Sequence, residues 1–309
     1  MLASERVWRS GWPCPVGQVL GPLRHGAGDP TFHREPDGTI WRGIRTPGGP
    51  ATLRLETLPQ DGAVHGAAWG PGAGWVLDSL PAMLGALDDG AGFDPGRHVV
   101  VERLHRNHPH WRVPRTGLVM EALVPAVIEQ KVTGQEAFAA FRRLVRRWGE
   151  PAPGPGATRG LHVQPTADVL AGLPSWEWLH LGVDGARSRT VVGAARRARA
   201  VERTTSGTPG DADRALRSLP GIGVWTSAEI RARAHGDPDA VSFGDYHVAQ
   251  DIGYALTGER LDDAGLADLL EPFRGHRYRV QRLVELAGIG APRRGPRMAP
   301  RTHLPVRTG

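Results

Sequence analysis

The stretch Leu216-Arg-Ser-Leu-Pro-Gly-Ile-Gly-Val-Trp-Thr-Ser-Ala-Glu-Ile230 decides the fold class of this chain. We expect one helix to end at Ser218 and a second to begin after Gly223, because Pro220 and Gly221 favour a tight turn. Such a hairpin leaves backbone N–H groups at the positive end of the second helix, where they can bind a phosphate. Proline-glycine turns between helices are common, so the pattern alone favours a phosphate-binding hairpin and an ordinary connection equally.

Helical periodicity continues on both sides of the hairpin. From about residue 112 to 288 apolar residues recur at helical spacing, which predicts α-helices without strands. The clearest helix begins at Thr133-Gly-Gln-Glu136, a capping box, and ends at Gly149. Residues 150–165, with their Pro-Ala-Pro-Gly-Pro-Gly run, predict a loop.

The first hundred residues follow a different pattern. Alternating stretches at 39–46, 51–57 and 63–70, separated by proline-glycine turns, predict a small antiparallel sheet, and 77–87 predicts a helix packed on it. The fold class is therefore mainly α, with a helical domain preceded by a small α+β domain. We predict an N-terminal α+β domain at 1–110, a helical domain at 111–290 and a disordered basic tail at 291–309.

Composition excludes several classes of protein. Among 309 residues there is one cysteine, Cys14, which excludes an internal disulfide and a thiolate zinc site. No apolar run approaches the roughly 18 residues of a membrane span, and the first residues do not resemble a secretory signal, so we expect a cytoplasmic protein. The net charge is +6, and the five arginines after residue 290 have no acidic neighbour there. This charge agrees with a polyanionic partner such as nucleic acid.

Several motifs occur together with the hairpin. Leu-Pro-Gly-Ile-Gly-Val-Trp-Thr at 219–226 is followed by Gly-Asp-Pro-Asp-Ala at 236–240 and Gly-Asp-Tyr-His at 244–247, and Glu-Gln-Lys-Val-Thr-Gly precedes them at 129–134. In this combination the chain resembles the helix-hairpin-helix base-excision DNA glycosylases with a Gly-Pro-Asp signature, above all the DNA-3-methyladenine glycosylase II group. The resemblance covers about residues 110–288. It implies damaged double-stranded DNA as the partner and a monomeric enzyme that is located with the nucleoid. It implies no obligate protein partner and no cofactor, unless a monovalent cation binds the hairpin carbonyls.

The resemblance implies that Asp245 is the catalytic carboxylate. An independent reason supports this role, because cleavage of an N-glycosidic bond builds positive charge on the sugar, which a fixed carboxylate stabilises. The alternative is that Asp245 only caps a helix that begins at Tyr246. Strand-cutting relatives carry a lysine directly after the hairpin, where this chain has Trp225. Since Lys131 is the sole lysine, we expect a monofunctional enzyme without lyase activity.

Three aromatic residues are candidates for the pocket that receives an extruded base. Trp225 matches a cleft-wall aromatic of the family, and Tyr246 and Phe273 are further candidates, with core packing as their alternative. Where the family has an aromatic one turn after the tryptophan, this chain has Glu229. The expected substrates are alkylated purines of the 3-methyladenine type. Another lesion, oxidised or deaminated, and a non-catalytic DNA-binding module stay open as alternatives.

DNA contacts are expected at the hairpin and at the 129–134 junction. Either Lys131 or Gln130 is expected to fill the gap that an extruded base leaves. No metal site is predicted. The full set of expected DNA-binding residues is Gln130, Lys131, Thr133, Leu219, Gly221, Ile222, Gly223 and Thr226.

Overall fold

A five-stranded antiparallel sheet forms the N-terminal part of the protein. The computed structural model describes residues 3–292, so the predicted basic tail, 291–309, lies outside the described residues beyond its first two. The strands have the spatial order β1-β5-β4-β3-β2. The three predicted strands are confirmed, and two short edge strands join them. The bounds are β1 (Ser4–Arg9), β2 (Phe32–Arg34), β3 (Ile40–Thr46), β4 (Gly49–Leu58) and β5 (Ala63–Trp69).

One face of this sheet packs on a helix, as predicted. The helix, α2, spans Ala73–Met83 and contributes Val76 and Leu80 to a core shared with Ile44 and Leu53 of the sheet. It ends earlier than the pattern predicted because Gly85 adopts a left-handed backbone with φ 87°.

The other face is covered by a two-stranded ribbon, β6 (Glu150–Pro151) with β7 (His162–Val163). The prediction of helices without strands after residue 112 is therefore wrong for this segment. A Cβ at Gly43 would lie 2.2 Å from the carbonyl oxygen of His162, so the ribbon approaches the sheet backbone where a glycine allows it. Pairing of this kind depends on the neighbouring sheet and not on local periodicity.

The remainder of the described chain is helical, which confirms the predicted fold class. Helix α5 begins with the predicted capping box, in which Thr133 and Glu136 bond reciprocally. Between residues 3 and 292 the helices are α1 (Val16–Leu20), α2 (Ala73–Met83), α3 (Val99–Asn107), α4 (Val119–Ile128), α5 (Gly134–Trp148), α6 (Pro155–Thr158), α7 (Ala167–Gly172), α8 (Ser175–His180), α9 (Gly185–Ala195), α10 (Ala198–Glu202), α11 (Pro209–Arg217), α12 (Val224–Ile230), α13 (Val248–Thr257), α14 (Asp263–Leu270) and α15 (Arg277–Leu286).

Helix α12 lies between separate apolar cores. Its Ala228 packs with the sheet, whereas Ile230 packs in a core built around α4, α5 and α9. A third core joins α3 to α13, α14 and α15. The loop 236–247, which connects α12 to α13, therefore passes from one group of packed helices to another.

Ion pairs and hydrogen bonds connect the N-terminal part to the helices. Nδ1 of His25 lies 2.9 Å from Oε1 of Glu129. Arg233 Nε donates to the carbonyl oxygen of Pro22 at 3.0 Å. The predicted domain boundary near residue 110 stays a prediction. None of the helices in the described range 3–292 is long and apolar enough to cross a lipid bilayer.

Candidate active site and nucleic-acid interface

Asp245 is held by three N–H groups. Its Oδ1 accepts hydrogen bonds from the backbone N–H of His247 at 2.8 Å and of Val248 at 3.2 Å. Its Oδ2 accepts from Nε1 of Trp225 at 3.1 Å. Helix α13 begins at Val248, two residues later than predicted. The carboxylate thus contacts the start of a helix, and the same contacts restrict its rotation.

A cavity of about 430 Å³ opens beside Asp245. Its walls come from Pro22, residues 229–233, the loop 236–247, the first turns of α13, helix α15 and residues 288–290. Four carboxylates and two arginines line the cavity. These residues are Glu229, Arg233, Asp245, Asp251, Arg282 and Glu285.

The charges in this cavity do not cancel. Arg233 pairs with Glu229 at 2.7 Å, and Arg282 pairs with Glu285. Burial lowers the pKa of Arg233, but Glu229 together with Tyr278 and Glu129 outweighs burial and holds that pKa above its ordinary value. Asp245 and Asp251 have no arginine or lysine partner anywhere in the described part of the chain. The cavity therefore has two carboxylates in excess of its arginines.

Glu229 anchors the loop that carries Asp245. Ser242, three residues before Asp245, donates through Oγ to Glu229, and its backbone N–H donates to Oε1 of Gln281 at 3.2 Å. Ser242 and Gln281 are 1% and 4% exposed, so these bonds are shielded from water. The residue that replaces the family's aromatic thus positions a backbone segment.

The neighbouring carboxylates have structural partners. Asp237 pairs with Arg231. Asp239 pairs with Arg277 and accepts from the backbone N–H groups of Gly275 and Arg277, where α15 begins. Both therefore stabilise turns, and Asp245 is the loop carboxylate that lines the cavity.

The structure separates the three predicted base-pocket residues. Trp225 is half-buried and contacts Asp245 directly. Tyr246 is 80% exposed, and its ring packs edge-on against the ring of His247, a residue of the cavity wall. Phe273 is 4% exposed and packs in the third apolar core. The prediction that Phe273 lines a base pocket is wrong, because its ring packs against core side chains and does not line the cavity.

Helix α15 supplies cavity residues that the motifs did not indicate. Tyr278, Gln281, Arg282 and Glu285 all line the cavity. Their spacing of i, i+3, i+4 and i+7 places them on one helical face. A row of polar residues at that spacing was a detectable signal, but the sequence does not show which face of the helix meets Asp245.

The predicted helical hairpin is present, with α11 ending at Arg217 and α12 beginning at Val224. Gly221 has φ 87°, and a Cβ at this position would lie 1.9 Å from Oγ1 of Thr190. Gly223 precedes α12 and has no side chain to cap the first amides of the helix. Both glycines are exposed, so the backbone of the turn is accessible.

Gln130 ties the 129–134 junction to the hairpin. Its Nε2 donates to the carbonyl oxygen of Gly221 at 2.9 Å and to Oγ1 of Thr226 at 2.7 Å. Lys131 is exposed and is the single non-glycine residue with positive φ, 53°, among residues 3–292. Gln130 is therefore engaged within the protein.

The other residues predicted to contact DNA differ in how far their side chains are exposed to solvent. Thr133 caps α5, and Leu219 is partly buried against the second core. Thr226 and Ile222 are 2% and 5% exposed. We therefore correct the expectation for these two side chains, which pack beneath the turn and support it. Among the described residues no cluster of three or more His, Cys, Asp or Glu side chains has the arrangement of a metal site.

Comparison with known proteins finds a sequence similarity to a DNA repair protein. No family model matches it. It is 34% identical over 190 residues to the probable bifunctional transcriptional activator/DNA repair enzyme AlkA of Mycobacterium tuberculosis, a match that covers 60% of this chain and 35% of that protein. The chain thus matches about a third of the length of this relative.

Two solved structures share the fold over nearly the whole chain. A 3-methyladenine DNA-glycosylase from Archaeoglobus fulgidus superposes with a TM-score of 0.74 at 16% identity, covering 92% of this chain and 98% of the other. An 8-oxoguanine glycosylase/lyase from Clostridium acetobutylicum superposes with a TM-score of 0.69 at 11% identity, with the same coverage. The chain therefore shares the fold of these two solved DNA glycosylases and is similar in sequence to the mycobacterial DNA repair protein.

Proposed function

We propose that this protein is a monofunctional DNA glycosylase that removes alkylated purines, of the 3-methyladenine type, from damaged duplex DNA. The observation that carries the proposal is Asp245, a carboxylate with a restricted orientation at the wall of a 430 Å³ cavity. An enzyme that acts on a base in duplex DNA must extrude the nucleotide into such a pocket. The DNA repair function in the name of the mycobacterial relative supports the same class of reaction.

The proposed chemistry follows from the position of the carboxylate. As the bond between sugar and base breaks, positive charge develops on the sugar, and Asp245 stabilises that charge and orients a water for attack. The three N–H donors hold the carboxylate in place before the reaction, so little reorganisation is needed. The products are the free base and an abasic site.

The charge of the cavity supports an alkylated base as the substrate. Alkylation at a ring nitrogen leaves the purine in its nucleotide positively charged, and Asp245 and Asp251 lack a basic partner within the described residues. A cavity with excess carboxylate attracts a cation more strongly than a neutral base.

The hairpin and the junction tied to it are proposed to bind the DNA backbone. The exposed turn at Gly221 and Gly223 lets a phosphate approach backbone N–H groups without steric hindrance. Lys131 is proposed to enter the gap beside the extruded nucleotide.

We expect no covalent enzyme-DNA intermediate. Schiff-base formation requires an amine, and Trp225 occupies the position of the lyase lysine while Lys131 lies at the junction. Incubation with lesion-bearing duplex and sodium borohydride should therefore yield no trapped complex. A trapped complex that disappears in the Lys131→Arg variant would contradict this expectation.

Trp225→Phe should lower base release about tenfold, because it removes the Nε1–H that bonds to Asp245 Oδ2 and keeps an aromatic ring. Single-turnover release from a methylated duplex would measure the effect, with DNA affinity as the control. Equal release by wild type and variant would show that this bond does not position the carboxylate.

A release assay over a panel of duplexes tests the function itself. The panel contains methylated purines, 8-oxoguanine, hypoxanthine and undamaged DNA, and free bases are identified by chromatography. We expect release of the methylated purines. Release confined to 8-oxoguanine or hypoxanthine would favour the alternative lesion classes, and binding without any release would favour a non-catalytic module.

A further inference from the structure

A short segment of the N-terminal part, residues 22–25, reaches the cavity. Pro22 lines the same cavity as Asp245. The carbonyl oxygen of Pro22 accepts a hydrogen bond from Nε of Arg233 at 3.0 Å. The N-terminal part thus supplies a piece of the cavity wall and a backbone acceptor for one of the cavity's arginines.

Arg233 connects this segment to the loop that carries Asp245. Its Nη1 donates to Oε2 of Glu229 at 2.7 Å, and Oε1 of the same carboxylate accepts from Oγ of Ser242. Ser242 is 1% exposed and lies three residues before Asp245. Each of these hydrogen bonds, like the bond to Pro22, has a charged partner, which makes it stronger than a bond between neutral groups.

The backbone of Arg233 is held from outside its own helix. Arg233 lies in a π-helical turn, Arg231–His235, that follows α12. The carbonyl oxygens of Arg233 and Ala234 accept from the backbone N–H groups of Thr116 and Gly117 at 3.0 and 2.9 Å. Turns of this kind are rare and occur often at functional sites. The guanidinium therefore extends toward Pro22 from a fixed position.

At the other end of the segment, His25 contacts the 129–134 junction. His25 is 9% exposed, and its ring packs 4.9 Å from that of Phe141. Its backbone N–H donates to Oδ2 of Asp29 at 2.7 Å. An ionised carboxylate only accepts hydrogen bonds, so Nδ1 of His25 donates to Oε1 of Glu129 across 2.9 Å. A fixed imidazole thus restrains the first residue of the junction.

Glu129 is followed directly by residues that adjoin the hairpin or are proposed to contact DNA. Gln130 donates to the carbonyl oxygen of Gly221 and to Oγ1 of Thr226. Lys131 has a left-handed φ of 53°, which costs free energy in a residue other than glycine. Such a conformation persists only where the surrounding structure holds it, and Glu129 is part of that structure.

We propose that residues 22–25 position both parts of the glycosylase site, the 129–134 junction through His25 and the loop 236–247 through Arg233. This inference rests on the proposed function and gives the N-terminal part a direct role in it. The two contacts reach different elements, so they should affect different steps. His25 acts on DNA binding, and Arg233 acts on cleavage of the glycosidic bond. Both are positioning residues, because each acts through another residue of the protein.

The first test measures DNA binding. His25→Phe keeps an aromatic ring beside Phe141 but removes the bond to Glu129, so affinity for a lesion-bearing duplex should fall about tenfold. Single-turnover base release at saturating enzyme should stay within about twofold of wild type. His25→Gln keeps a side-chain donor and should therefore retain most of the affinity.

His65→Phe is the matched control for this test. It breaks a contact of the same kind within the sheet, where Nδ1 of His65 lies 3.4 Å from Oε2 of Glu56. Neither residue lines the cavity or belongs to the hairpin or the junction. DNA affinity and base release should both stay unchanged, even if the melting temperature falls as it does in His25→Phe.

The second test measures base release. Arg233→Lys keeps the positive charge beside Glu229 but removes the Nε–H that bonds to Pro22, so release should fall about tenfold while DNA affinity stays within about twofold. Arg143→Lys removes the same kind of bond, from Nε to the carbonyl oxygen of Leu181 at 3.0 Å, at a position outside the cavity. This control should change neither quantity.

A double variant tests whether Arg233 acts through the loop. Ser242→Ala breaks the same series of hydrogen bonds at its other end and should also lower base release. If the two residues act as one unit, the double variant Arg233→Lys/Ser242→Ala should be little slower than the slower single variant. Independent effects would instead multiply.

Two results would overturn the inference while leaving the glycosylase function intact. One is a His25→Phe variant that binds DNA as tightly as wild type, or that loses base release and not affinity. The other is an Arg233→Lys variant that releases the base at the wild-type rate, or whose loss multiplies fully with that of Ser242→Ala. If wild type releases no base from a duplex that it binds, the proposed function fails and the inference falls with it.

Discussion

Asp245→Asn should reduce release of alkylated purines from duplex DNA about 10³-fold, whereas affinity for the same duplex should change by no more than about twofold. The amide keeps the size of the side chain and one acceptor oxygen for the N–H groups of α13, so the loop should keep its conformation. What disappears is the negative charge opposite the developing positive charge on the sugar. Single-turnover release and a binding titration separate the two effects.

Asp251→Asn provides the control for this prediction. Asp251 lines the same cavity and also lacks a basic partner in the described chain, but its Oδ1 accepts from the backbone N–H of Ala291 at 2.8 Å. The loss of its charge should weaken attraction of a cationic base by less than about tenfold. Equal losses in the two variants would assign the effect to the overall charge of the cavity, and full activity of Asp245→Asn would refute its catalytic role.

Gly221→Ala should lower the free energy of unfolding by about 3 kcal/mol, since it combines a left-handed backbone with a steric overlap. The added Cβ would lie 1.9 Å from Oγ1 of Thr190 on α9, so the turn or the helix must shift. Because this turn also carries the carbonyl that accepts from Gln130, DNA affinity should fall together with stability. Urea denaturation and a binding titration measure the two quantities.

Gly258→Ala separates backbone strain from overlap. Gly258 has φ 83°, close to the 87° of Gly221, but a Cβ there would have no neighbour within 4 Å. Its substitution should cost only about 1 kcal/mol. Replacing Thr190 by alanine in the Gly221→Ala background should restore part of the stability, and a lack of any restoration would show that the overlap is relieved in another way.

Local rules were sufficient to predict the hairpin and its surroundings. Pro220 and Gly221 restrict the backbone within a few residues, and the capping box at Thr133 depends on a side chain three residues away. The same is true of Asp245, whose bonds to the first N–H groups of α13 follow from its place before a helix. These features could be predicted because the interactions that form them are short-range in sequence.

The cavity wall could not be predicted in this way. Phe273 and Tyr278 are five residues apart and both aromatic, but one packs in the third core and the other lines the cavity. Tyr246 follows a motif residue and is nevertheless exposed to solvent. The ribbon on the sheet was missed for the same reason, since Gly43 and His162 meet only in the folded chain.

The order of residues was thus enough to specify the mainly α fold, the turn at Gly221 and the acidic residue that precedes α13. Only the folded structure shows which helix faces Asp245. Tyr278 and Arg282 of α15 line the same cavity as Asp245, whereas Phe273 is buried in the third core. The physical reason is the distance along the sequence between the residues that interact. Turns, caps and helical periods depend on neighbours within about four residues, whereas the choice of buried face depends on how separate helices minimise exposed apolar surface together.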